Sequence, residues 1–492
     1  MSDSKHTRRS FLAHSGAATM AATVSSAAAA SPKASEKPPN IVYIVCDQMR
    51  GDAMSCVGNP NASTPNLDRM AKEGVLFEKW FSNNPVCLPS RVTAFSGLYP
   101  HQTGCYTNNS GLPLMTCKNT MLGYFRERGY YLGWVGKNHT YYKLESLGLD
   151  YCSGRAREPF RRYNPYVPPW WHSDMYWPIE DLHATLNTDD SVEFLKSARK
   201  DQPFFLHISY FDPHPPYFAP AEYAGRKAGA AVKIPKYIDP AQLSDRLAKQ
   251  QRALHYDRIT DADLKQTIKY YHASVEWGVD QQVGRILDTL RETQLEENTI
   301  VLFTSDHGDF MGDYRMMRKG MFLYDSLLHV PMIWYAPGRF KPGRRVNTVA
   351  QGVDLFPTLI DLTAGTVPND LPGKSVKHWL VDDEPEDKDV MVFAAAKYSD
   401  LPEGYFDDPE PFCDQSYEKP FHTRVQKLTW APEHKTAMVR TRDWKLIKNE
   451  TQPTELYHLD GTLGETKNIA DDPQVRDIRK HLEKKLDQIR SC

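Results

Sequence analysis

Asn40-Ile41-Val42-Tyr43-Ile44-Val45-Cys46, followed at once by Asp47-Gln48, is the stretch that decides the fold. A short apolar run rich in β-branched side chains reads as a strand buried on both faces, the habit of parallel sheets. It ends in an acid, and in open α/β sheets ligands bind at the carboxyl ends of strands. The arrangement recurs three times. Residues 130–136 lead into Lys137-Asn138-His139, residues 203–210 into Asp212-Pro213-His214, and residues 299–305 into Asp306-His307-Gly308-Asp309. Between them, apolar residues at helical spacing (Ile268, Tyr271, Val275, Val279, Val283, Ile286) predict one amphipathic helix over about 264–290. Four strand–motif–helix units in succession predict a large α/β domain around a mostly parallel sheet.

The residues at the strand ends carry chemistry. Asp47 is a candidate metal ligand, and Gln48 offers a neutral carbonyl oxygen acceptable to a hard cation. Asp306 and His307 both reach one cation if the loop turns sharply, which Gly308 permits. Lys137 and His139, two apart on an extended segment, point the same way. Prolines on both sides hold His214 in a rigid loop. His207 within its strand and His329 before Val330 read as structural. Asn84-Pro85-Val86-Cys87-Leu88-Pro89-Ser90-Arg91 reads as a loop turning into a helix that starts at Pro89. Cys87 then lies just ahead of a helix N-terminus, where free N–H groups and the dipole favour an anion. Arg91 projects from the first turn toward the same place, and together they form a candidate anion-processing site.

Cys87-Leu88-Pro89-Ser90-Arg91 resembles the C-x-P-S-R maturation motif of the type I sulfatases, a family of the alkaline phosphatase superfamily. Gly97-Leu98-Tyr99-Pro100-His101 resembles its G-x-x-P-x continuation. Gly136-Lys137-Asn138-His139 is similar to the family's G-K-x-H, Pro213-His214-Pro215-Pro216-Tyr217 to its P-H-x-P-Y, and Ser305-Asp306-His307-Gly308 to its S-D-H-G. Lys319, twelve residues past His307, matches the lysine of G-K-x-x-x-Y-E, with Arg318 where glycine is usual. The family commonly has two acids where Asp47-Gln48 stands; some members and the related phosphonate monoester hydrolases share the glutamine.

The resemblance spans about residues 40–490. It implies an alkaline-phosphatase-like catalytic domain over 38–390 and a small C-terminal subdomain over 391–492 with an antiparallel sheet and a helix. It implies a sulfuric ester hydrolase whose Cys87 becomes Cα-formylglycine through a formylglycine-generating or anaerobic sulfatase-maturating enzyme. A cation, Ca²⁺ with Mn²⁺ or Mg²⁺ as alternatives, would be held by Asp47, Gln48, Asp306, His307 and the modified Cys87. Asp306 would help deprotonate the hydrated aldehyde. His214 and Lys319 would neutralise the sulfate and assist the leaving oxygen, and His139 would take the proton that lets sulfate depart. Lys137 and Arg91 would fix the nucleophile, with Lys137 also on the substrate. Two alternatives stand beside this: a phosphonate monoester or phosphodiester hydrolase on the same scaffold, encouraged by Gln48, and a non-catalytic sulfated-glycan binding protein.

Composition bounds the rest. With 492 residues, 25% of them charged and a net charge of −2, the chain is neither a basic nucleic-acid binder nor an acidic disordered chain. No apolar run reaches membrane-spanning length. Thr7-Arg8-Arg9-Ser10-Phe11-Leu12 ahead of an alanine-rich tract resembles a twin-arginine export signal over residues 1–31, which implies a periplasmic or secreted protein. The eight cysteines match no zinc site and no dense disulfide framework, although Cys105 and Cys117 are candidates to pair in an oxidising compartment. Export and the aromatic residues of 160–178 suggest a sulfated carbohydrate as substrate. Thr64 and Asp354 are expected to cap helices, and short alternating runs at 438–440, 444–447 and 455–458 suggest a small antiparallel sheet before a final helix.

Overall fold

A computed structural model of the chain describes residues 37–108, 120–140, 144–153, 172–175, 178–226, 231–235, 244–253, 256, 259–382, 387, 390–399, 433–459 and 465–491. The opening stretch forms β1 (Asn40–Cys46), buried along its whole length. It lies inside an eight-stranded sheet with β2 (Val75–Phe77), β3 (Tyr131–Gly136), β4 (Tyr151–Cys152), β5 (Phe204–Ser209), β6 (Thr299–Ser305), β7 (Met332–Tyr335) and β8 (Arg344–Val346). The spatial order is β8-β2-β7-β6-β1-β5-β3-β4. Strand β1 runs parallel to β5 and β6, and β3 runs parallel to β5 and β4. The exception within this run is β7, antiparallel to β6 and β2. The sheet is therefore mostly parallel, as the unbroken apolar strands require.

Both faces are covered. Val42, Ile44 and Cys46 of β1 face one core, and Ile41, Tyr43 and Val45 the other. The principal helices are α1 (Pro65–Glu73), α2 (Cys87–Ser96), α3 (His183–Ser197), α4 (Asp261–Val275), α5 (Gln281–Glu292), α6 (Leu355–Leu362) and α7 (Arg476–Arg490). Ile268, Val283 and Ile286 bring α4 and α5 to the first core; Phe95, Leu359 and Ile360 bring α2 and α6 to the second. Each fully buried Val, Ile or Leu contributes roughly 1.5–3 kcal/mol by leaving water.

The helix expected over 264–290 is interrupted by a π turn at Glu276–Asp280 between α4 and α5. The turn has a use. It carries Asp280, whose Oδ1 accepts the N–H of Asn66 at 2.9 Å and of Leu67 at 2.8 Å. Asp280 therefore caps α1, and Thr64 does not; the Thr64 hydroxyl turns to Asp68 Oδ1 at 3.1 Å. Asp354 likewise precedes α6 without capping it, because its carboxylate accepts the N–H groups of Gln351 and Lys374.

The same turn lets Gly278 press on Asp212, where an added Cβ would sit 2.8 Å from the Asp212 Cβ. Asp212 is buried, accepts a hydrogen bond from Ser274 Oγ at 3.1 Å, and leaves Oδ2 without a partner among the described residues. Burial pushes its carboxyl up to about 7. Between about pH 4 and 7 the unfolded chain releases this proton while the folded chain keeps it, so stability falls as pH rises through that window. Asp212→Asn is expected to be more stable than the parent by about 1–3 kcal/mol at pH 8 and unchanged near pH 4. Thermal melts at the two pH values check this; an equal shift at both would contradict it.

A second sheet is a four-stranded antiparallel meander of β9 (Val392–Ser399), β10 (Glu433–Arg440), β11 (Trp444–Asn449) and β12 (Glu455–His458). Leu482 and Leu486 of α7 pack with Phe393, Val439, Leu446 and Leu456. The last three strands and the helix are those the alternation predicted. Residues 1–31, the aromatic stretch 160–178 apart from 172–175 and 178, all of 399–421 beyond Ser399, and Cys117 lie outside the described residues. No helix among the described residues is long and apolar enough to cross a membrane.

Candidate active site

Register places the site. Cys46 lies opposite Ser305, Val45 opposite Ser209, and Ser209 opposite Gly136. The residues that follow, Asp47, Asp306 and Lys137, therefore leave the sheet along one edge. Gly136 turns the chain there with φ of 86°, and a Cβ would lie 2.1 Å from the Ser209 carbonyl oxygen. Gly308 serves differently from the expected sharp turn. Its Cβ would lie 2.1 Å from the Ser326 carbonyl oxygen, so glycine is needed for a close backbone approach.

Helix α2 begins at Cys87 itself, two residues before the expected Pro89, with Val86 extended ahead of it. Cys87 Sγ thus projects from the first turn into the strand-end cluster. It lies 2.9 Å from Lys319 Nζ, 3.1 Å from His307 Nε2 and 3.6 Å from Asp47 Oδ1. His139 and His214 stand close to it as well. Arg91, 3% exposed, sends Nε to Asp306 Oδ2 at 2.8 Å and Nη1 to Ser209 Oγ at 2.7 Å, with Nη2 3.5 Å from Asp47 Oδ2. Lys137 Nζ bonds Asp47 Oδ2. His214 Nε2 lies 4.0 Å from Asp47 Oδ1. The structure brings Asp47, Cys87, Arg91, Lys137, His139, His214, Asp306, His307 and Lys319 together; His207 is buried instead among Tyr43, Phe95 and Trp134.

Asp47, Cys87, Asp306 and His307 each offer one ligand atom, all within 4.8 Å of one another, a group able to hold a metal ion. Two further observations fit a cation. His307 Nδ1 lies 2.9 Å from the Gly308 carbonyl oxygen and must donate to it, so Nε2 is the nitrogen presented to the cluster. Gln48, fully buried at φ of 73°, leaves its Oε1 without a hydrogen-bond partner among the described residues. A left-handed non-glycine residue costs about 1–2 kcal/mol and persists where its surroundings hold it. The Gln48 N–H is taken by Asp306 Oδ1 at 3.1 Å. A donor set of carboxylates, an amide oxygen and one imidazole suits a hard divalent cation.

Electrostatics divide the site into floor and rim. The floor is Asp47, Cys87, Arg91, Asp306 and His307, all buried, while the side chains of Lys137, His214 and Lys319 are 10%, 18% and 18% exposed. Burial alone would raise the Cys87 thiol, but Lys319, Lys137 and His307 hold it well below its ordinary value. Burial opposes ionisation of Asp47 too, and Lys137, His214 and Lys319 overcome it. Asp306 is raised by burial and by Asp47, against Arg91. Burial and Lys319 bring His214 down to about 4 despite Asp47, so at neutral pH its ring is uncharged. Its Nδ1 donates to the Pro215 carbonyl oxygen at 2.6 Å, which leaves Nε2 as the atom presented to the site.

Several contributors carry no sequence signal of their own. Asn83 and Asn84 pin the loop before Cys87 to β9: Asn83 Nδ2 donates to the Phe393 carbonyl at 2.6 Å and Asn84 Nδ2 to the Ala395 carbonyl at 2.7 Å. Ser90 Oγ donates to the Asp306 carbonyl, tying α2 to the end of β6. Ser90 lies within the Cys87–Arg91 motif, whereas Asn83 and Asn84 belong to no motif.

A mostly parallel sheet with this cluster at one edge defines a hydrolase of the alkaline-phosphatase-like fold. The family model for sulfatases matches residues 39–366, and the chain belongs to that family; it is a sulfatase. An arylsulfatase of Clostridium perfringens is 30% identical over 383 residues, covering 70% of this chain and 78% of that protein. An N-acetylglucosamine-6-O-sulfatase of Bacteroides thetaiotaomicron is 25% identical over an alignment of 533 residues, covering 95% of this chain and 89% of that protein. Among solved structures, a phosphonate monoester hydrolase from Silicibacter pomeroyi superposes with a TM-score of 0.71 at 22% identity, covering 92% of this chain and 95% of that one; this is a likeness of fold.

Proposed function

We propose that the enzyme removes sulfate from a sulfated carbohydrate, using a Cα-formylglycine made from Cys87 and a divalent cation, Ca²⁺ foremost. The observation that carries this reading is the buried Cys87 side chain, met by Lys319 at 2.9 Å and His307 at 3.1 Å beside Asp47. Cys87 Sγ stands in for an oxygen of the formylglycine. Asp47, Gln48, Asp306 and His307, with the modified residue 87, would hold the cation. Bound there, a divalent cation polarises the sulfate and makes the formylglycine hydrate a stronger nucleophile at neutral pH.

The chain's own residues do the rest. Lys137, Lys319 and His214 form the open rim and receive the sulfate. Arg91 is spent on Asp47 and Asp306, so it balances floor charge and fixes their orientation. Lys319 supplies positive charge where negative charge develops, and His214 presents Nε2 toward the leaving oxygen. His139, close to the side chain at 87, takes a proton there so that product leaves. Homologues that act on amino-sugar sulfates support a carbohydrate substrate. The reading includes maturation of Cys87 by a formylglycine-generating or anaerobic sulfatase-maturating enzyme, followed by twin-arginine export to the periplasm or beyond.

Phosphonate monoester hydrolysis is a second reading, favoured by Gln48 and by the fold neighbour. Protein co-expressed with a maturing enzyme is expected to show sulfur lost from residue 87 by mass spectrometry. It is also expected to release sulfate from aryl sulfates faster than it cleaves aryl phosphonates. Faster phosphonate cleavage would favour the second reading, and unmodified Cys87 in fully active protein would refute the nucleophile.

A further inference from the structure

A side-chain amide has two ends of nearly the same shape and opposite electrostatic character: an acceptor oxygen and a donor NH₂. Gln48 can serve a cation with only one of them, so something must decide which end is free. The structure points to Asp309. Gln48 Nε2 donates to Asp309 Oδ2 at 2.6 Å, and Oε1 has no partner among the described residues. Asp309 is itself fully buried and surrounded by donors. Its Oδ1 accepts the N–H groups of Met311 at 2.8 Å and Arg318 at 2.9 Å, and its Oδ2 also accepts the Tyr217 hydroxyl at 2.6 Å. The two backbone N–H groups cannot reverse their direction. The Gln48 backbone is held as well, its N–H on Asp306 Oδ1 and its carbonyl receiving the Tyr271 hydroxyl at 3.3 Å.

We propose that Asp309 is a positioning residue that fixes the amide orientation of Gln48, keeping Oε1 rather than Nε2 as the end free to serve the cation. This rests on the cation reading above and adds to it a residue that is not itself a ligand. The negative charge that many members of the family carry at position 48 is, in this chain, displaced one hydrogen bond outward.

The consequence is specific. In Asp309→Asn the introduced carbonyl must face the two fixed backbone N–H groups, so the introduced NH₂ faces Gln48 and Tyr217. The Tyr217 hydroxyl can rotate to accept. Gln48 must turn its Oε1 to that NH₂, which leaves its own NH₂ where a cation needs an oxygen. Gln48→Glu combined with Asp309→Asn repairs this, because the amide now at position 309 donates to one oxygen of the carboxylate now at position 48 and frees the other.

Calcium affinity, measured by titration calorimetry on the chelator-stripped full chain, tests the proposal without reference to turnover. Asp309→Asn is expected to bind calcium about 10–100-fold more weakly than the parent. The exchanged pair Gln48→Glu/Asp309→Asn is expected to recover parental affinity or exceed it. Melting temperatures in chelator check that each variant is folded, and if the single variant does not fold, the exchanged pair carries the test. Affinity of Asp309→Asn within about twofold of the parent, or an exchanged pair as weak as the single variant, overturns the orientation claim while leaving the cation reading intact. Failure of the parent chain to bind calcium, manganese or magnesium overturns the cation reading, and the role of Asp309 with it.

Discussion

Cys87→Ala is expected to lose at least about 10⁴-fold in kcat/KM on any sulfate ester while remaining folded. The substitution removes one buried atom from a first-turn position, and alanine is the best helix former, so the backbone has no reason to move. What disappears is the atom that Lys319 and His307 contact, with His139 and His214 close by. The cation group of Asp47, Asp306 and His307 keeps its other members, so the variant should still bind a divalent ion, more weakly. Cys87→Ser separates two requirements. Its hydroxyl can attack, but it has no second hydroxyl through which product is released, so at most a single turnover is expected. Steady-state kinetics beside a thermal melt check both. Residual activity of Cys87→Ala within tenfold of the parent would remove the side chain from the mechanism.

Lys445→Met is expected to produce the largest loss of stability, about 3–5 kcal/mol, with the active site chemically intact. Lys445 is wholly buried on β11, with Nζ 2.8 Å from Asp325 Oδ1 and 2.5 Å from Glu465 Oε1. Glu465 in turn accepts the Asp325 backbone N–H at 2.7 Å through its other oxygen. Asp325 keeps Arg440, 3.0 Å away, when Lys445 is lost. Burial already pushes the Glu465 carboxyl up to about 7 against Lys445, and no second cation stands among its described ion pairs, so without Lys445 it must either stay charged and unpaired or take up a proton, and both cost stability. Methionine matches the lysine stem in bulk, so the loss reports charge rather than a cavity. Replacing Glu465 by Gln in the same chain should restore much of the stability, because a neutral amide no longer needs the ammonium. Urea unfolding of the parent, single and double variants checks this. A single variant within about 1 kcal/mol of the parent would show that the ion pair is not what holds β11 against the Asp325 segment.

Much of the scaffold was legible in short windows. Strands β1, β3, β5 and β6 each declare themselves by an apolar run that ends in a polar group, and neither property depends on a distant residue. The same holds for α7 and the three alternating strands before it. Two readings that failed share a reason: the partner lies far along the chain. Thr64 looks like the cap of α1, yet Asp280 provides it from 214 residues away by way of a π turn. The start of α2 at Cys87 depends on Asn83 and Asn84 being held by β9, more than 300 residues later.

By itself the sequence determined which side chains stand at the carboxyl ends of the strands, because burial on both faces imposes an apolar run and the chemistry begins where that run stops. It also determined that thiol, carboxylates, imidazoles and lysines were available in family order. Only the tertiary structure decided how these groups are shared: Arg91 with the two acids, Lys319 and His307 with Cys87, and Asp309 with the amide of Gln48. Sharing depends on the direction of hydrogen bonds between residues mostly 200 or more positions apart, and direction is a property of packed geometry that no local run of residues contains.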